Sequence, residues 1–332
     1  MDVLSDVLRA VRLTGAIFFD HHVQAPFVGE SPASGAIAGR VMPGAEHVIQ
    51  FHAVLSGSSW AALADDPDTG TLLDAGDIVI FPMGDGNVMS SARGMRAEPN
   101  PLSLYDPPND RRLPFRFEHS GNGPEHCHFV CGYFGCDARP FNPLLESLPR
   151  MFHAQMSSAG RGWLSDMLRV AAEETESGGA GSETMLAKLA ELMFVEVIRR
   201  HIARLPDDSR GWLSGLRDRH VEHAMRLIHG QPAQDWTLDT LAREVGLSRS
   251  AFADRFAHLV GVAPMHYLTR WRMQLAARRL ETPGISVAQA AVEVGYESEA
   301  AFNRAFKKYV GTPPGAWRKR QTGTVGAQPP VA

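Results

Sequence analysis

Val245-Gly-Leu-Ser-Arg-Ser-Ala-Phe-Ala-Asp-Arg-Phe-Ala-His-Leu-Val-Gly-Val-Ala-Pro264 and Gly295-Tyr-Glu-Ser-Glu-Ala-Ala-Phe-Asn-Arg-Ala-Phe-Lys-Lys-Tyr-Val-Gly-Thr-Pro-Pro-Gly-Ala-Trp-Arg318 are two versions of one segment. The full repeat covers residues 237–267 and 286–317, offset by 49 positions and, after one inserted residue, by 50. Each copy starts with an apolar stripe at helical spacing: Leu238, Leu241, Ala242 and Val245, then Val287, Ala290, Ala291 and Val294. Gly246 or Gly295 follows, then Ser248 or Ser298 in position to cap a second helix. That second helix carries Phe252 and Phe256, or Phe302 and Phe306, at core spacing. It ends in Val260-Gly261 or Val310-Gly311, before Pro264 or Pro314 and an aromatic three residues later, Tyr267 or Trp317. Ser286 and Gln289 also fit a capping box. Two helices joined by a Gly-containing turn, the second with a polar outer face, have the helix-turn-helix layout, and the duplication makes the pattern specific.

Working outward, the helix joining the copies, Pro264–Glu281, carries Arg270, Arg272, Arg278 and Arg279. A stiff connector of this kind can hold two recognition helices about one DNA turn apart, roughly 34 Å, on one face of a duplex. Residues 215–332 contain 16 Lys and Arg against 10 Asp and Glu, whereas the preceding 214 residues contain 17 against 27, so a net charge of −4 conceals a basic end on an acidic body. Such asymmetry suits a polyanion partner at one end only.

The rest of the 332 residues excludes several classes. With 44% hydrophobic and 21% charged residues, the chain is a folded protein of two-domain size. The longest stretch without Asp, Glu, Lys or Arg, His47–Ala64, holds two His, one Gln and three Ser and cannot cross a bilayer. Met1-Asp-Val-Leu-Ser-Asp6 lacks the pattern of a signal peptide, and three Cys confined to Cys127–Cys136 make no secreted disulfide framework. The expected location is cytoplasmic.

Residues 1–140 are broken by Gly, Pro and Asp and predict short strands, clearest at Val48–Leu55, Ile78–Phe81, Phe115–Phe117 and His128–Phe134, with a long loop over Ser91–Pro114. Trp163–Thr175 and Glu183–Leu205 predict helices within a connector, 141–206. The stripe Leu186, Leu189, Ala190, Met193, Val197 is expected to pair with a second protomer, although it suits packing on its own chain equally well. Pro206–Gly211 predicts a linker, 216–320 a helical domain, and 321–332 a disordered tail. The expected fold class is α+β: an amino-terminal β-barrel or sandwich, a helical connector, and a carboxy-terminal all-α double helix-turn-helix domain.

The repeat resembles the AraC/XylS family of bacterial transcription regulators over about 100 residues. The resemblance implies binding to double-stranded promoter DNA, some homodimerisation, and contact with RNA polymerase if the chain is an activator. By position in the motif, Arg249, Ser250, Ala253 and Asp254 in copy one, and Glu299, Ala300, Asn303 and Arg304 in copy two, face bases. Asn and Arg pair bidentately with adenine and guanine, and Asp and Glu accept from cytosine. Arg255, Arg272, Lys307, Lys308 and Arg318 are expected to meet phosphates. Ala253-Asp254 gives copy one little positive character, so copy two is expected to contribute more binding energy.

The amino-terminal part resembles a cupin, a small β-barrel often holding a metal or small ligand. Gly44, five residues, then Gln50-Phe51-His52 is similar to the first cupin motif, with Gln where a His normally stands. Gly76, five residues, Pro82-Met83-Gly84, two residues, then Asn87 is similar to the second, with Asn in place of His; Ser56 stands near the usual Glu. Cys131-Gly132 is similar to the corresponding strand of AraC-type regulators that sense through a cupin. Of the usual ligand set only His52 survives, which argues against an oxygen-activating iron site. A replacement is offered by His126, Cys127, His128 and Cys131: on a strand the two Cys share one face and the two His the other. With His52 these form a zinc or copper site, or the thiols report oxidants, or Cys131 simply packs in the core. His21 and His22 are expected to be ordinary polar residues. The implied input is an unidentified small-molecule or redox signal. The competing reading is a cupin-type metalloenzyme with an accessory helical domain, which needs at least three metal-binding positions aimed into the barrel.

Overall fold

The computed structural model describes residues 2–106, 113–119, 121–154, 163–177 and 179–325. Its strands are β1 (Thr14–Gln24), β2 (Val28–Ser31), β3 (His47–Ser56), β4 (Ser58–Leu63), β5 (Asp66–Asp74), β6 (Ile78–Phe81), β7 (Asn87–Ser90), β8 (Phe115–His119), β9 (His126–Cys136) and β10 (Phe152–Ala154). Its helices are α1 (Val3–Ala10), α2 (Ser34–Val41), α3 (Trp163–Ser177), α4 (Ser182–Arg204), α5 (Trp212–Gly215) and α6 (Arg219–Gly230). The remaining helices are α7 (Leu238–Glu244), α8 (Arg249–Val260), α9 (Pro264–Glu281), α10 (Val287–Glu293), α11 (Glu299–Val310) and α12 (Pro314–Val325). No helix among the described residues is long and apolar enough to cross a membrane.

The chain divides into two compact units, one made of Leu13–Cys136 and Leu148–Arg204, the other of Met1–Arg12, Asp137–Ser147 and Leu205–Ala332. The first holds a six-stranded sheet, ordered β10-β6-β3-β9-β1-β8, and a four-stranded sheet, ordered β2-β7-β4-β5. Phe19, Val54, Val79, Phe129 and Cys131 from the larger sheet share one core cluster with Ala61, Leu73 and Met89 from the smaller. β3 and β9 are buried along nearly their whole length because α3 and α4 cover the other face of the larger sheet. Gly132 on β9 permits this packing: a Cβ there would stand 2.3 Å from the Ala16 carbonyl oxygen and 2.4 Å from the Phe51 ring.

α4 does not offer its main stripe to a second protomer. Leu186, Ala190, Met193, Phe194, Val197 and Ile198 are buried, the helix lies against β1 at Gly15, and Phe194 meets Phe134 at 4.7 Å between ring centres. The expected dimer surface is therefore used within the chain, where sheet burial of large apolar groups contributes about 1.5–3 kcal/mol each.

In the helical unit each copy is capped as its sequence demands. Thr237 and Thr240 form a capping box on α7, and Ser286 and Gln289 form one on α10. Ser248 and Ser298 accept from the backbone N–H groups of Ala251 and Ala301 at the starts of α8 and α11. Gly295 turns the chain at φ +82°, where a Cβ would also meet the Ala233 carbonyl oxygen at 2.7 Å. Phe252, Phe256, Phe302 and Phe306 are fully buried. α9 belongs to both cores: Tyr267 packs on Phe256 of copy one and Trp271 on His229 of α6, while Met273, Ala276, Ala277 and Leu280 join Phe302, Phe306 and Trp317 in copy two.

Two features depart from the sequence reading. The segments 1–12 and 137–147 belong to the helical unit, because Gln274 of α9 donates to the Ala10 carbonyl (3.0 Å) and accepts from the Phe141 N–H (3.0 Å), and Arg12 bridges Asp137 and Glu281. A boundary at 140 cuts through that arrangement. α12 continues to Val325, into the stretch expected to be a disordered tail; 326–332 lie outside the described residues, as do 107–112 of the expected loop.

Candidate nucleic-acid interface and sensing site

With Phe252 and Phe256 turned inward, α8 leaves Arg249, Ser250 and Asp254 exposed and Ala253 half-buried. α11 does the same with Glu299, Ala300 and Arg304 exposed and Asn303 half-buried, and Lys307 and Lys308 exposed one turn on. Arg304 and Lys307 make no ion pair among the described residues, and Arg249 makes only a loose, exposed pair with Asp239 at 3.4 Å, worth little. The outer face of copy two is thus the more available for an anionic partner.

Other arginines are occupied. Arg255 is bonded to the carboxylate of Asp218, the residue that caps α6. Burial opposes the Asp218 charge, but Arg255 and the N–H groups of Val221 and His220 outweigh it and hold the carboxyl below its usual range. Arg272 donates to the carbonyls of Pro232 (2.7 Å) and Gln234 (2.8 Å), lies over the Tyr296 ring at 5.8 Å, and has its pKa lowered by burial. Arg318 is exposed and donates to the Ile285 carbonyl at 3.2 Å. Of the five positions expected to meet phosphate, Arg255 and Arg272 are the most engaged within the domain. Arg270, Arg278 and Arg279 of α9 are likewise engaged, by Glu146, the Arg9 carbonyl and Glu293. We expect Arg272→Ala to cost about 1–3 kcal/mol in stability, since it strips two carbonyls of a charged donor. The salt dependence of DNA binding should stay unchanged, which denaturation and titrations at two salt concentrations check.

In the sheet-rich unit, β3, β7 and β9 bring Gln50, His52, Asn87 and Cys131 together, all buried. Burial lowers the His52 pKa to about 4 although the bond to Asn87 opposes it, so the ring is neutral at pH 7. Nε2 lies 2.7 Å from Asn87 Oδ1, which only accepts, and therefore carries the proton; Nδ1 accepts from the Cys131 thiol at 2.6 Å. Asn87 Nδ2 donates to Gln50 Oε1 (3.0 Å), and Gln50 Nε2 donates to the Pro32 carbonyl (2.8 Å). Every member is satisfied by its neighbour in one head-to-tail chain.

This corrects two expectations. Both His52 nitrogens are in use and the remaining cupin positions offer amides, so the residues do not fit a metal held at the His52 site. Burial raises the Cys127 thiol to about 12 and the Cys131 thiol well above its ordinary value, so neither is the low-pKa thiol an oxidant sensor needs. The strand divides His126, Cys127, His128 and Cys131 as alternation requires: Cys127 and Cys131 face the core with Phe129, while His128 is on the other face and His126 is exposed.

His128 finds different company. Asp20 and His22, two residues apart, share a face of β1, and the register sets His22 directly opposite His128 on β9. His128 Nε2 lies 2.6 Å from Asp20 Oδ1, His22 Nε2 lies 3.3 Å from Asp20 Oδ2, and the two rings stack at 3.9 Å. Asp20 is buried; burial opposes its charge, but His128 and His22 outweigh it and hold the carboxyl below its usual range. The sequence reading treated His21 and His22 as one pair and missed this group. The available signal was the Asp-X-His alternation, which separates them: His21 points into the core between Phe117 and Phe129.

A Cupin family model matches residues 2–203 and a Helix-turn-helix domain model matches residues 241–320. A putative AraC-like transcription regulator of Streptomyces lividans is 32% identical over 326 residues, 97% of this chain and 99% of its own. The HTH-type transcriptional regulator AlkR of Acinetobacter baylyi is 32% identical over 280 residues, 83% of this chain and 89% of its own. The crystal structure of the DNA-binding domain of AdpA, a global transcriptional factor, in complex with a target DNA has 29% identity and a TM-score of 0.32, covering 33% of this chain and 99% of that one. With a cupin unit followed by paired helix-turn-helix motifs and relatives matched along nearly the whole chain, the protein belongs to the AraC family of DNA-binding transcription regulators.

Proposed function

We propose that α8 and α11 enter successive major grooves of a promoter, with Arg249, Ser250, Ala253 and Asp254, and Glu299, Ala300, Asn303 and Arg304, turned to the bases. The observation that carries this reading is the outward polar face each helix keeps while its phenylalanines are buried. Lys307, Lys308 and Arg318 supply phosphate contacts and copy two supplies more of the affinity. In binding titrations of the full chain, Arg304→Ala should cost about 1–3 kcal/mol and relax one base position, whereas Lys307→Ala should weaken all sequences alike and reduce the salt slope by about 1. Unchanged base preference in Arg304→Ala would remove that residue from the base-reading set.

The cupin unit is proposed to receive the signal. In support, β1 continues directly into residues 1–12 and β9 into residues 137–147, the two segments held by Gln274 on α9. A change in either strand is therefore passed along the chain to a segment that is hydrogen-bonded to the helix joining the two motifs. A catalytic role is not proposed, since Gln50 and Asn87 stand where metal-binding positions are required. A cytoplasmic homodimer is proposed, with the exposed Met185 and Leu192 of α4 as its leftover apolar pair, and with RNA polymerase as a further partner if the regulator activates.

A further inference from the structure

We propose that Asp20, His22 and His128 form a binding site for a late first-row divalent cation of the zinc class, separate from the cupin ligand positions. The three residues each offer a ligand atom, and these atoms all lie within 4.8 Å of one another. Two imidazoles and a carboxylate are the donor types such ions take, at bond lengths of about 2.0–2.2 Å. Around a tetrahedral ion at those bond lengths, neighbouring donors stand roughly 3.3 Å apart. His22 Nε2 and Asp20 Oδ2 already have that separation, at 3.3 Å. His128 Nε2 lies 2.6 Å from the other oxygen of the same carboxylate, Oδ1, and all three donors fall within the 4.8 Å that one ion can gather by small side-chain shifts.

Three further observations support the site. The donors sit on two hydrogen-bonded strands in fixed register, so little order is lost when an ion arrives. Both imidazoles present Nε2 to one carboxylate, and their stacked rings bring those two edges to the same side. His22 and His128 also line an open cavity of about 310 Å³ with Ser56, Glu118, His119 and His126, which leaves room for water or a further donor at the fourth position.

The test uses the full chain, stripped with a chelator and titrated with Zn²⁺ by calorimetry and with Co²⁺ by visible absorption. The expected result is one equivalent per chain, with affinity lowered at least about tenfold in His22→Gln and in His128→Gln. His266→Gln, which changes an exposed histidine of the helical unit, should bind as the parent does. Circular dichroism separates loss of a ligand from loss of the fold, and the parent titration stands without any variant. Failure of the folded parent chain to take up a stoichiometric ion would overturn the proposal. So would uptake that both His22→Gln and His128→Gln leave intact, or that His266→Gln lowers equally.

Discussion

Phe302→Ala is expected to lower the stability of the helical unit by about 3–5 kcal/mol and, with it, to abolish sequence-specific DNA binding. Phe302 is fully buried, meets Tyr296 and Phe306 at 5.5 Å between ring centres, and shares a core with Met273 and Ala277 of α9. Phe306 in turn meets Trp317 at 6.2 Å, so the cavity would open at the point where α9, α11 and α12 converge. Domains of this size hold only about 5–15 kcal/mol in total, so a loss of this magnitude takes a large part of it. α11 presents Asn303 and Arg304 only because Phe302 and Phe306 fix its rotation; the expected defect is therefore conformational. Arg304→Ala, on the same helix but exposed, should lose affinity and keep the parent's denaturation midpoint. A Phe302→Ala chain that unfolds at the parent's urea concentration would mean that the core assigned to copy two does not hold it together.

Acid should destabilise both units through His52 and His229, which are buried, and His21, which is half-buried between Phe117 and Phe129. Burial lowers the pKa of His21 and His52 to about 4 in the sheet-rich unit and that of His229 to about 3 in the helical unit. His229 stacks on Trp271 at 3.8 Å and bonds Tyr267, and Asp6, 3.9 Å away, is too distant to hold a proton on the ring against burial. Each ring is neutral when folded but charges near pH 6.5 when unfolded, so the unfolded chain binds more protons between those values. Their contribution to stability is complete above about pH 6.5. Below that each histidine removes up to about 1.4 kcal/mol per pH unit, until its folded pKa is reached. The denaturant midpoint of the full chain should therefore fall steadily from pH 7 to pH 4.5. Replacing His229 by Gln should flatten the decline of the helical unit alone. A midpoint constant over that range would mean that these rings carry their protons in the folded state.

The helical half was legible because its signals are local. Ser248, Ser298, Ser286 and Gln289 announce caps, Gly246 and Gly295 announce turns, and the repeated Phe spacing announces two cores, all within a few residues of where they act. The fate of the arginines was not legible. Arg255 and Arg272 look like phosphate contacts in a motif, but their partners, Asp218 and the carbonyls of Pro232 and Gln234, lie 37 to 40 residues away and are set by packing. In the sheet-rich half, spacing singled out Gln50, His52, Asn87 and Cys131, which the fold does bring together, but not the chemistry between them. Burial and mutual hydrogen bonding, neither visible in spacing, make them a neutral network. His22 was set down as an ordinary polar residue and Asp20 was passed over, because the bounds and partner of the strand that carries them, β1, are not written in its own residues; without the register, the placing of His22 against His128 is hidden. The membership of α1 and 137–147 in the helical unit rests on Gln274, a single side chain with partners 264 and 133 residues away.

The most direct measurement is the base-by-base effect of operator substitutions on binding of the full chain at fixed salt. Reading by both motifs predicts two clusters of discriminating bases per protomer, centred about 10 base pairs apart, with Arg304→Ala relaxing discrimination in one cluster only. A single uninterrupted cluster, or relaxation spread evenly over both, would contradict it.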